Sequence, residues 1–81
     1  MKCVYRLRIL DKRTDEIVVV EEVSEHQKLG LVHLMVKAMP YRNKDHRILA
    51  FESNDTTALS YIHENMPNIP CELIEEEREA E

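Results

Sequence analysis

Eighty-one residues with a third of them charged and 43% apolar are enough for one globular domain and too few to divide between two cores. The formal charge of −5 argues against a strongly basic nucleic-acid binder, and no apolar run approaches the roughly 20 residues that span a bilayer. Two cysteines, Cys3 and Cys71, lack the spacing of a zinc site or a disulfide framework, so a cytoplasmic location is expected.

From Lys2 to Leu10 the residues alternate. Cys3, Tyr5, Leu7 and Ile9 share one side, and Arg6 and Arg8 stand on the other, the pattern of a half-buried strand. Asp11 to Glu16 is a polar break, and the β-branched run from Ile17 gives a second strand to about Val23. So short a connection predicts an antiparallel hairpin, with Arg6 opposite Glu21.

Ser24 with Gln27 three residues later reads as a capping box, opening a helix over 24–39 that Pro40 stops. Gly30 inside it weakens the helix by about 1 kcal/mol relative to alanine. A polar loop, 41–46, leads to a strand over 47–52 with apolar residues on both faces, as a central strand has. Ser53-Asn54-Asp55 is an N-cap cluster for a second helix from Thr56 to about Asn65, whose buried stripe is Ala58, Leu59, Ile62 and Met66. Cys71 to Ile74 forms a short last strand, and 75–81 is an acidic tail beyond a single domain of 1–74.

The predicted order is β-β-α-β-α-β. It implies an α+β two-layer sandwich, a four-stranded mixed sheet with both helices on one face. Charge is uneven along it. Residues 1–47 hold ten Lys/Arg against seven Asp/Glu, whereas residues 48–81 hold one Arg against nine acids.

The first helix is the unusual element. Leu29, Leu31, Val32, Leu34, Met35, Val36, Ala38 and Met39 cover an arc of about 220°, roughly twice what one sheet needs. Either this helix is wrapped on several sides by its own domain, or part of the arc meets another protein.

Catalytic chemistry has no visible constellation. His26 and His33 are separated by about 10 Å of helix rise, too far to share an ion, while His46 and His63 lie in other elements, and no metal or cofactor is expected. Cys3 and Cys71 have no base in view, and could be neighbours only if their strands pair. The carboxylate pairs look solvated, and a single glycine does not make a phosphate cradle.

The expectation is therefore a non-enzymatic protein-binding regulator or adaptor, of the kind that phages and mobile elements direct at host proteins. It meets another protein or itself through helix 24–39. Leu31, Leu34, Met35 and Ala38 are its expected contacts, with Glu75, Glu76 and Glu77 of the tail for steering. The alternative is an RNA- or DNA-binding module in which Arg6, Arg8, Arg42, Lys44 and Arg47 touch phosphates and Tyr41 stacks on a base.

Overall fold

A computed structural model describes residues 2–75. Strands β1 (Cys3–Asp11) and β2 (Glu16–Ser24) form the expected hairpin, in a register that sets Arg6 against Glu21. Its turn places Asp15 at a φ of 62°, a left-handed conformation that Asp tolerates better than bulkier residues, and the Asp15 amide donates to the Asp11 carbonyl at 2.7 Å.

Helix α1 (Gln27–Ala38) continues into a 3-10 turn, Met39–Tyr41, that has Pro40 in its first positions. Strand β3 (His46–Ser53), helix α2 (Thr56–Asn65) and strand β4 (Cys71–Leu73) complete the chain. The sheet order is β2-β1-β3-β4, with β1 antiparallel to both neighbours and β3 parallel to β4. The sheet is mixed, and both helices cover one face of it, as the residue pattern predicts. β3 is central, as its apolar pattern also predicts.

One core fills the space between the layers. Tyr5, Leu7, Ile9, Val20 and Phe51 come from the sheet, Leu34 and Ala38 from α1, and Ala58 and Ile62 from α2. The register between β1 and β3 slips between Arg8 and Ile9, where Leu49 is the additional residue on β3.

Two local expectations are corrected and one open question is answered. Ser24 does not cap α1: its hydroxyl accepts from the His26 amide at 3.0 Å and donates to the His26 carbonyl, and His26 is the N-cap. The helix therefore begins at Gln27, and the Gln27 amide group reaches Asp55 rather than its own N-terminus. Cys3 and Cys71 cannot pair through adjacent strands, because β3 lies between β1 and β4; both are free thiols, and burial pushes the Cys71 thiol up.

The second cap behaves as expected. Asp55 is the N-cap of α2, its Oδ1 accepting from the amides of Thr57 and Ala58 at 3.0 and 3.3 Å. Its Oδ2 accepts from the Tyr5 hydroxyl at 2.9 Å. Nearby, Asn54 Oδ1 accepts from the Val4 amide, and the Asp55 amide donates to Ser53 Oγ. The turn ahead of α2 is thus bonded directly to β1 and to the first residue of α1.

Candidate docking surface

The orientation of α1 follows from its small residues. Gly30, Leu34 and Ala38 stand four residues apart on one stripe, and all three are buried. At Gly30 the helix comes so close to the sheet that an added Cβ would meet Cε2 of Tyr5 and lie 2.8 Å from its Cδ2. Only glycine permits that approach.

With this stripe facing the sheet, the charged side of α1 turns toward β2. Lys37 Nζ lies 2.6 Å from Glu22 Oε1 and donates to the Glu21 carbonyl at 3.1 Å. The Lys37 ammonium, with His33 beside it, holds the Glu22 carboxyl below the usual carboxylate range. Among the described residues the opposite flank of the arc has no such partner. Leu29, Val32, Val36 and Met39 are 51%, 55%, 57% and 61% exposed, a continuous apolar crest along the helix.

The crest borders a groove of about 340 Å³ between α1 and α2. Its floor is formed by the core residues Leu7, Leu34 and Phe51, and its α2 wall by Tyr61, Ile62 and Met66. Leu31 and Met35 line the α1 side. Three of the chain's four methionines, Met35, Met39 and Met66, face this space, and flexible thioethers adapt to varied partners.

Arg42 supplies positive charge at the rim. The loop that holds it is tied down: Asp45 O accepts from the Lys12 amide at 2.8 Å, and Asn43 Oδ1 lies 2.8 Å from His46 Nδ1. The His46 ring in turn meets Tyr41 edge-on at 5.3 Å, with Nε2 3.7 Å from Asp11.

The sequence-predicted contacts divide. Leu31 and Met35 line the groove, but Leu34 and Ala38 belong to the core, at 1% and 4% exposure, and cannot be offered to a partner. Leu29, Val32, Val36, Met39 and Tyr61 are exposed in their place. Glu75 is exposed beyond β4, whereas Glu76 and Glu77 lie outside the described residues.

The basic set is brought together only in part. Arg6 and Arg8 stand on the sheet face away from the helices, where both bond Glu52 and Arg6 also bonds Glu21, at 2.9 to 3.1 Å. Glu52 is only 7% exposed there, flanked by the two guanidinium groups. Arg47, the second residue of β3, is in register with Leu10 and so shares the sheet face of Arg6 and Arg8, whereas Arg42 lines the groove on the helix side, Tyr41 turns its ring to His46 and Lys44 is an exposed loop residue.

Among the described residues no three His, Cys, Asp or Glu side chains are grouped as a metal site would need, and no helix is long and apolar enough to cross a membrane. No protein family, no curated protein and no solved structure matches this chain.

Proposed function

We propose that this protein is a non-enzymatic protein-docking module, a regulator or adaptor whose binding site is the crest of α1 and the groove beside it. The observation that supports this reading is the exposed apolar crest, Leu29, Val32, Val36 and Met39, which runs without a polar break into a groove floored by core side chains. Isolated surface leucines are ordinary, but a contiguous apolar patch on a small domain marks a contact site. Its shape suits an amphipathic helix laid between α1 and α2, with affinity from apolar burial and orientation from Arg42 at the rim. The docking reading is favoured over a nucleic-acid one because Arg6 and Arg8 are paired with Glu52 and Arg42 lies on the other side of the sheet.

The test uses two baits, the wild-type protein and Val36→Glu, in nuclease-treated lysate of the host. A protein retained by the wild type and lost by the variant, then rebound as a purified component, supports the reading. Equal retention by both baits refutes it, as does material recovered only from a parallel lysate left without nuclease.

A further inference from the structure

We infer that the occupant of this surface is a second copy of the chain, joined through α1 in antiparallel orientation across a two-fold axis; this rests on the docking reading above and names its partner. The crest residues stand at steps of three, four and three along α1, the spacing of a coiled-coil seam. A two-fold axis beside position 34 sets Leu29 of one copy opposite Met39 of the other and Val32 opposite Val36. The seam is its own complement, as a symmetric dimer interface must be. It spans about 15 Å, the rise of ten helical residues, so neither copy leaves part of its crest open.

Charge selects the antiparallel arrangement. α1 contains Lys28 and Lys37 and no acidic residue. A parallel pairing would place Lys28, which flanks the crest, beside its own copy, whereas Lys37 is held by Glu22 on the β2 side. In the antiparallel register Lys28 faces Pro40, so the two Lys28 cations stay apart. Glu25, exposed just ahead of α1, comes alongside Arg42 and Asn43 of the other copy, and the two helix dipoles oppose favourably.

The area is sufficient. A specific interface should clear roughly 1,000 Å² in total, about 500 Å² from each copy. The four half-exposed crest residues with Tyr61 present apolar surface on that order. At the β2 edge, strand-to-strand association is hindered because Lys37 bonds the Glu21 carbonyl.

Sedimentation equilibrium over a wide concentration range tests this with the full chain. The wild type should show twice the 9.6 kDa of one chain, and Val36→Glu should weaken association about a hundredfold or more while keeping the wild-type circular dichroism spectrum. Leu29→Glu is the second variant, expected to behave alike. Orientation is read by mixing Leu29→Cys with Met39→Cys under mild oxidation: the mixture should cross-link where neither variant alone does. A wild type that stays monomeric overturns the second-copy assignment, and the two-bait capture then judges the docking reading independently. A dimer that survives both glutamate substitutions, or Leu29→Cys cross-linking to itself, overturns the assignment as well.

Discussion

Replacing Asp55 by alanine should cost more than any other single change in a loop of this protein. The carboxylate caps α2 through two backbone amides, an interaction worth about 1 kcal/mol. It also accepts from the Tyr5 hydroxyl, and Tyr5 is only 1% exposed. Truncation strands that hydroxyl, adding about 1–3 kcal/mol, so the expected loss is about 2–4 kcal/mol in all. Tyr5→Phe removes the hydroxyl with its need for a partner and should cost only about 1 kcal/mol. The two effects overlap, and the double variant should cost about 1–2 kcal/mol less than the sum of the singles. Urea unfolding followed by circular dichroism measures all four corners of the cycle. Additivity within about 0.5 kcal/mol would refute the argument that Asp55 joins β1 to α2 through Tyr5.

Gly30→Ala should lower the melting temperature although alanine is the better helix former. The gain of about 1 kcal/mol in propensity is outweighed by overpacking against Tyr5, which Asp55 pins, at about 1–3 kcal/mol. A higher melting temperature would show that α1 can move away from the sheet freely. On the open sheet face, Glu52→Ala should cost about 1–3 kcal/mol, because the Glu52 side chain is 10% exposed and bonds both Arg6 and Arg8. Glu21→Ala, at 39% exposure, should cost less than about 1 kcal/mol, and denaturant midpoints that rank the two in reverse would contradict this. Burial, reinforced by the bond to Asp55, raises the Tyr5 hydroxyl above its ordinary value of 10.0. The unfolded chain therefore loses this proton first, so the contribution of Tyr5 is intact below pH 10 and is lost progressively above it. Stability of Tyr5→Phe should fall less steeply than wild type over that alkaline range, and parallel curves would contradict the assignment.

Much of the fold is legible because its signals are local. Alternation in Cys3–Asp11, β-branching in Glu16–Ser24 and the Asp55 cap each depend on neighbours a few residues away, and each element forms where that chemistry places it. The Arg6–Glu21 pair follows because a short turn fixes a hairpin's register. The capping box failed for a related reason: Ser24 is the last residue of β2, and its hydroxyl is spent on His26 in the bend before the helix.

The docking surface was only half legible. An apolar arc of about 220° says that α1 has two apolar sides, but periodicity alone does not say which one meets the sheet. The sequence expectation therefore sets Leu34 and Ala38 at the interface, whereas they are core. Gly30 held the missing signal. Read as one member of a Gly30, Leu34, Ala38 stripe, it marks the side of closest approach and leaves Leu29, Val32, Val36 and Met39 outside. Tyr61 could not be found this way, since its place in the groove depends on how α2 lies relative to α1 across β1 and β3.

The proposed pairing of two copies through α1 is tested most directly by amide spectra of the isotopically labelled protein, recorded over a dilution series and again for Val36→Glu. The account predicts concentration-dependent shifts confined to α1, from Leu29 to Met39, and to the groove wall around Tyr61, all absent in the variant. Shifts centred instead on Ile17, Val19 and Val23 of the open sheet face, or spectra that do not change with concentration in either protein, would contradict it.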